Sequence, residues 1–410
     1  MTKKHIIVLW VLIILSFHLK SQDSIEFKIP KTYGFENIQS DTLGNLIYLS
    51  SFFQKLKAQK LFSNQKISIL HIGDSHLQAD YITHTTRTTL QKHFGNAGRG
   101  FITPLKISKS NEPFNYQTAS KNNWKSSRCV SYKNTLPIGL GGMTIKTYDS
   151  AALIKLKTYN TDSLNYGFNK IILYHQKIDS TYNLLISDTT VENQITKNIL
   201  PELPYRSTFS LSKITNNIEI KTEKVSNIQS NFVFFGALLE NSQSGILYHS
   251  IGINGAKYKD YNKASDFCSQ TPSLSPDLII VSLGTNESFQ KNYNSDIFYK
   301  EIDSLIKKIK LYNPNSPIIV TTPANSFYYH NINLNLPLIS ETIIKYATEN
   351  ALGIWDLFSI TGGKNSAQDW RKNNLLSRDG IHYTKDGYIH QGNLLTNALI
   401  NAYNKYVSNR

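Results

Sequence analysis

Apolar residues follow two different patterns along this chain. In the first and last thirds, short and nearly unbroken apolar runs alternate with stretches in which apolar residues recur at helical spacing. Ile67 to Ile72 is such a run, closed abruptly by Gly73-Asp74-Ser75, and Asp277 to Gly284, Ser316 to Thr322 and Gly353 to Leu357 repeat the pattern. Leu46 to Leu61, Tyr81 to Phe94, Asp296 to Lys310, Leu336 to Asn350 and Gly387 to Tyr403 have the spacing of helices between them. Strands apolar throughout and alternating with helices predict an α/β fold whose parallel sheet is covered on both faces.

The middle of the chain reads differently. From about Asn111 to Leu239, strand-like segments (Lys170 to His175, Tyr182 to Ser187, Ser207 to Leu211, Ile218 to Thr222, Phe232 to Leu238) are separated by Asn, Asp, Ser and Pro turns, with no long helix. That rhythm predicts an all-β sandwich inserted between two α/β portions. The expected organisation is a leader over 1–21, an N-terminal arm and helix over 22–65, a first α/β part over 66–110, the β insertion over 111–240 and a second α/β part over 241–410. The polar Asp23 to Asn45 is expected to lie as an extended arm on the surface.

The leader expectation rests on Lys3, Lys4 and His5 followed by an apolar run, Ile6 to Phe17, and a polar return at His18 to Gln22. At about a dozen residues the run falls short of the roughly 20 that span a bilayer, so export without stable membrane insertion is expected. Removing residues 1–21 takes away Lys3, Lys4 and Lys20 and no acid, which lowers the formal charge from +15 to +12. The surplus is spread as single Lys residues among Asn and Ser, a weak bias towards acidic partners and not the dense basic runs of a nucleic-acid binder. With 40% hydrophobic and 11% aromatic residues, wholesale disorder is excluded. Cys129 and Cys268 are the only cysteines. An oxidising compartment permits them to pair, and sequence leaves the pairing open.

Candidate chemistry gathers where predicted strands end. Ser75 sits where a buried strand leaves the sheet, a position that holds a hydroxyl rigidly at the carboxyl edge. Asp379 and His382, three apart in Arg378-Asp379-Gly380-Ile381-His382, can be presented by one loop, the carboxylate fixing the imidazole tautomer while the other ring nitrogen faces the serine. Asn286, in Gly284-Thr285-Asn286-Glu287, carries an amide able to donate to a developing oxyanion. Gly255, in Gly252-Ile253-Asn254-Gly255, lets a backbone N–H approach substrate with no Cβ in the way. Each is also an ordinary turn residue when taken alone.

Taken together and in this order, Gly73-Asp74-Ser75, Gly255, Gly284-Thr285-Asn286 and Asp379-x-x-His382 resemble the blocks of the SGNH hydrolases, the GDSL-like esterase superfamily. The resemblance implies a flavodoxin-like three-layer α/β sandwich. G-D-S-H-L-Q-A-D followed by F-G-N-A-G-R-G-F is similar to the peptidoglycan O-acetylesterases that carry a carbohydrate-binding-like β-module after the serine block. His76, where many relatives have Leu, and Glu287, where the superfamily usually has Asp, depart from the pattern. The resemblance further implies an exported serine esterase acting on an O-acetylated polysaccharide, peptidoglycan first, with no metal or organic cofactor. Ser75, His382 and Asp379 would form the triad, and Gly255 and Asn286 would help receive the oxyanion. An O-acetyltransferase using the same acyl-serine, and a non-catalytic surface polysaccharide-binding protein, remain open alternatives.

Neighbouring residues carry smaller expectations. His76 is expected beside the serine in a supporting place, and Asp74 and Asp80 are expected to fix the turn and the next helix through bonds to backbone. Trp355 is expected in the core. Trp370, in a polar stretch before Asp379, is a candidate for stacking on a sugar, and Tyr328, Tyr329 and His330 are candidates for lining the cleft. The glycines of Gly95 to Gly100 suggest a phosphate cradle only weakly, because this loop follows a helix instead of preceding one.

Overall fold

The computed structural model describes residues 24–133, 135–161, 164–188, 190, 192–197 and 203–409. The leader expected over 1–21 lies outside them. The elements of the α/β part, in chain order, are β1 (Leu43–Gly44), α1 (Ser50–Phe62), β2 (Lys66–Gly73), α2 (Tyr81–Phe94), β3 (Gly245–Gly252), β4 (Leu278–Ser282), α3 (Ser295–Tyr312), β5 (Ile318–Thr321), α4 (Asn335–Glu349), β6 (Gly353–Trp355) and α5 (Lys385–Ser408).

The strands run in the order β1-β6-β5-β4-β2-β3 across one sheet, parallel except for β1. Counting only the parallel strands in chain order, this is the 2-1-3-4-5 arrangement of flavodoxin-like folds, whose crevice opens where the winding reverses, between β2 and β4. Alternation along the strands divides the core. Ile67, Ile69 and Ile280 face a cluster with Leu90 of α2 and Leu395 and Leu399 of α5, whereas Leu70, Ile72, Ile279 and Val281 face Ile302 and Ile306 of α3 and Ile343 of α4. Burial on both faces explains why these strands read as nearly continuous apolar runs.

Register then places the turns. Ile72 pairs with Ile251, and Gly73 with both Gly252 and Ser282, so β2, β3 and β4 end level with one another. The turns carrying Ser75, Gly255 and Asn286 therefore lie side by side at the carboxyl edge.

The antiparallel part contains the strands expected from sequence and others too short and polar to be read there. One sheet has the order 195–197, 206–215, 168–175, 232–240, 143–147 and 125–128, and the other the order 116–119, 153–158, 217–223 and 183–187. Their apolar side chains, Ile145, Leu173 and Phe234 from the first and Leu156, Ile218 and Ile220 from the second, belong to one buried cluster. The same cluster continues into β4 and α3, so the two portions share a core. Gly100–Ile102, before the boundary expected at 110/111, pairs with Ala237, Leu238 and Leu239 and joins the first antiparallel sheet.

The N-terminal arm departs from expectation. It does not simply lie on the surface: Ile25 and Ile29 are buried, and Leu43 and Gly44 pair antiparallel with Trp355 and Ile354 of β6. Asp41 accepts from Trp355 Nε1 at 3.1 Å and Asn397 Nδ2 at 2.9 Å, and Ile25 exchanges two backbone bonds with the Asn404 side chain. The physical reason is the exposed edge of β6, whose unpaired backbone groups the arm covers. The Gly95 to Gly100 loop is likewise explained by packing, since a Cβ on Gly100 would lie 2.3 Å from the Tyr248 carbonyl oxygen.

Candidate active site

Ser75 opens a one-turn helix, Ser75–Gln78, directly after β2, and Asp74 caps it by accepting the His76 N–H at 2.9 Å. Ser75 Oγ lies 3.0 Å from His382 Nε2, and His382 Nδ1 lies 2.7 Å from Asp379 Oδ2. The other Asp379 oxygen accepts from the N–H groups of Ile381 and His382, each at 2.9 Å, and from Ser377 Oγ at 2.7 Å. Partial burial works against the charged carboxyl, but the bonds from Ile381, His382 and Ser377 outweigh it and hold Asp379 well below the ordinary carboxylate range. A carboxylate facing Nδ1 keeps the proton there and leaves the Nε2 lone pair for the serine hydroxyl. Hydroxyl, imidazole and carboxylate in this series can transfer a proton from the serine as it attacks a carbonyl.

The next loops complete the edge. Gly255 has a φ of +82° and nothing within 4 Å of the place a Cβ would take, so its backbone faces open space. Asn286 stands on the adjoining turn, and its Nδ2 donates to Asp74 Oδ2 at 3.1 Å and to the Ala256 carbonyl at 3.0 Å. Both amide hydrogens are thus engaged in the free protein, and donation to an oxyanion requires one bond to be exchanged. Asp74 is buried, and desolvation pushes its carboxyl up to about 7.

The structure brings Ser75, His382, Asp379, Gly255 and Asn286 to one edge and distributes their neighbours differently from expectation in two cases. Asp80 does not fix the following helix by bonds to backbone. Its carboxylate accepts from Arg87 at 2.7 and 2.9 Å, Arg99 at 2.8 Å and Asn115 at 2.6 Å, all buried. Burial alone would raise this carboxyl, but the two guanidinium groups overcome it and hold Asp80 far below the usual range. Trp370 is fully buried, donates to the Thr361 carbonyl at 2.9 Å and packs edge-on against Tyr383, so it supports the Asp379 loop from inside and cannot stack on a sugar.

Other neighbours fall where expected or add detail. Trp355 is in the core. His76 bonds through Nδ1 to Tyr388 Oη at 3.1 Å, and its ring lies 5.5 Å from that of His382. Desolvation, with the nearby His382, holds it below the usual histidine range and therefore neutral. Glu287 is buried, accepts the Tyr258 N–H at 2.8 Å, and is pushed up to about 8 by desolvation. Cys129 and Cys268 are both free and buried.

Gln78 is the contributor that sequence reading missed. Its Oε1 accepts the Asn254 N–H at 2.7 Å, and its Nε2 donates to Ser110 Oγ at 2.9 Å and Asn111 Oδ1 at 2.7 Å. It ties the serine helix to the Gly255 turn and to the Ser110-Asn111 segment. Nothing in a lone Gln announces this, because its partners lie far away in the chain.

Residues 226–389 match the family described as GDSL-like Lipase/Acylhydrolase, a span that holds Gly255, Asn286, Asp379 and His382 but not Ser75. The chain is a carboxylic ester hydrolase that resembles the GDSL-like acylhydrolases. In fold, this hydrolase is similar to a solved structure described as "Peptidoglycan O-acetylesterase in action, 5 min", with a TM-score of 0.71 and 20% identity over 90% of this chain and 98% of that one. A GDSL-like lipase from Bacteroides thetaiotaomicron (25% identity, TM-score 0.30, 38% of this chain and 76% of that one) and a lipase/acylhydrolase from Enterococcus faecalis (16%, 0.30, 38% and 77%) are also similar in part. No curated protein matches the hydrolase. The SGNH α/β fold with additional antiparallel sheets is common to this chain and the O-acetylesterase.

Proposed function

We propose that this hydrolase is an exported serine esterase that removes O-acetyl groups from a polysaccharide, peptidoglycan first. The observation that carries the reading is the hydrogen-bonded series Ser75–His382–Asp379 at the switch point of the sheet. His382 takes the Ser75 proton as Oγ attacks the acetyl carbonyl, and Asp379 orients the ring and stabilises the imidazolium. The oxyanion is received by the backbone N–H groups of Ser75 and Gly255, and by Asn286 once it exchanges a bond. As the acyl C–O bond breaks, His382 gives its proton to the leaving sugar oxygen, which departs as the free hydroxyl. A water, deprotonated by the same imidazole, attacks the acetyl-serine, the acyl C–Oγ bond breaks to release acetate, and His382 returns the proton to Ser75 Oγ.

The choice of polymer is supported by the fold shared with the O-acetylesterase over nearly the whole chain, antiparallel sheets included. Export is supported by the basic and then apolar N-terminal sequence, and no helix among the described residues is long and apolar enough to cross a membrane. Acetate release from O-acetylated peptidoglycan, xylan and alginate, measured side by side with a Ser75→Ala control, tests the reading. Peptidoglycan is expected to give the fastest release and the control none. Equal release by Ser75→Ala would overturn the mechanism, and preference for another polymer would overturn the substrate.

A further inference from the structure

Beside the proposed reaction centre stands an ordered aromatic edge that the chemistry above does not use. Phe289 lies three positions after Asn286, in a short 3-10 turn, Glu287–Phe289. Its ring stacks on Tyr328 with centroids 5.6 Å apart and planes 15° from parallel. Tyr328 in turn meets Tyr329 edge-on at 5.1 Å. Tyr328 ends the first strand of a two-stranded hairpin, Phe327–Tyr328 with Asn331–Ile332, and Tyr329 is in its turn.

The hairpin is fastened to both loops that carry proposed reaction groups. Phe327 N–H donates to the Gly380 carbonyl at 2.8 Å, two residues from His382. On the other side, Asn333 Nδ2 donates to Ser288 Oγ at 2.8 Å, and Asn335 Nδ2 to the carbonyls of Ser288 at 2.9 Å and Gln290 at 3.1 Å. Arg371 covers the inner ring, with its guanidinium 4.2 Å from the Phe327 centroid.

Tyr329, at the tip, is 74% exposed and has a φ of +55°. A bulky side chain in the left-handed region is uncommon and costs conformational energy, and here the ring recovers little of that cost by burial. A tip held this way by the surrounding bonds keeps an aromatic face in place before any ligand arrives, which lowers the ordering cost of binding.

We propose that Tyr329, together with Tyr328 and Phe289, is a sugar subsite that takes a pyranose ring of the polysaccharide next to the acetylated residue. This deepens the acetylesterase reading and rests on it for the identity of the glycan. An aromatic face presents a negative quadrupole to the slightly positive C–H groups on one side of a pyranose, so the ring, not its hydroxyl, carries the contact. Charge is not needed for that contact, so a neutral glycan chain is the ligand class. The fastening to both loops sets the distance between this ring and the ester, giving the site a means of preferring polymer over small acetates.

Two measurements test it. The first is isothermal titration of the wild type, Tyr329→Ala and Tyr329→Phe with chitotetraose, which carries no O-acetyl ester and reports binding whatever the catalytic outcome. The second compares O-acetylated chitotetraose with ethyl acetate as substrates. Tyr329→Ala is expected to weaken tetrasaccharide binding about tenfold and to lower the ratio of glycan to ethyl acetate kcat/KM by a similar factor, the loss falling on KM. Tyr329→Phe keeps the ring and is expected to stay close to wild type in both. Unchanged binding in Tyr329→Ala, an equal loss in Tyr329→Phe, or an equal loss on ethyl acetate would each overturn the subsite. Tyr329-dependent binding without ester hydrolysis by the wild type would overturn the acetylesterase reading and leave the subsite standing.

Discussion

His382 Nε2 lies 3.0 Å from Ser75 Oγ, although 307 positions separate the two residues in the chain. Ser75 is held by the end of a central strand and His382 by the loop that leads into the last helix, so the contact depends on the whole α/β part being folded. Ser75→Ala is expected to lower kcat by at least about a thousandfold. Asp379→Asn, which loses the carboxylate that fixes the tautomer, is expected to lower it by about a hundredfold to ten-thousandfold. Steady-state hydrolysis of p-nitrophenyl acetate, with melting curves to show that both variants are folded, checks these values. A variant retaining near-normal kcat would remove that residue from the mechanism.

Asn286 Nδ2 donates to Asp74 Oδ2, next to the turn that carries Ser75. Asn286→Ala removes the proposed side-chain donor and leaves the two proposed backbone donors in place. Its kcat is expected to fall by about a hundredfold to a thousandfold with little change in KM, because the bond is made to the transition state. A change confined to KM would assign Asn286 to ground-state binding instead.

Glu287 gives a prediction for stability against pH. Its folded pKa is about 8, above the ordinary carboxylate value, because burial penalises the charge. A raised carboxyl favours the fold most fully below the unfolded pKa, near pH 4, and that contribution is lost as pH rises through about 8. Asp74, pushed up to about 7, acts in the same direction. Glu287→Gln removes the charge that must be buried, so its stability relative to wild type is expected to increase from pH 5 to pH 9. Urea unfolding at both values measures this, and a relative stability that falls with pH would contradict the assignment.

Asp80 has the opposite sign. Its pKa is depressed by the guanidinium groups of Arg87 and Arg99, so its stabilisation is present above the unfolded carboxylate pKa and is lost as pH falls through the depressed folded value. Asp80→Asn leaves two buried guanidinium groups without their counter-charge. A loss of about 3–5 kcal/mol in urea unfolding at pH 7 is expected. A loss below about 1 kcal/mol would contradict a stabilising role for this buried cluster.

Long, strongly patterned elements were legible from the residues. Helix α2 spans the residues expected of it, and α3, α4 and the α/β strands lie within a few residues of their expected positions. The polar strands were not. Lys125–Arg128, K-S-S-R, has no apolar side chain, and its pairing with Met143–Thr147 comes from sheet context and not from its own pattern. Trp370 misled for a related reason. Its neighbours Asp369, Arg371 and Lys372 are polar, but the residue turns inward on a short helix and is fully buried.

By itself the sequence determined which apolar stretches form the α/β strands, where those strands stop, and which side chains nearby are candidates for acyl chemistry. These are local matters: periodicity, a change from apolar to turn residues, and short spacings such as that between Asp379 and His382. Only the tertiary structure decided that β2, β3 and β4 end level, that Gln78 bridges the serine helix to the Gly255 turn, that Asp80 serves a buried ion cluster, and that the N-terminal arm closes the sheet edge. Those relations join residues far apart in the chain. They are set by register and by the need to pair buried charges and backbone groups, conditions that exist only once the chain has folded.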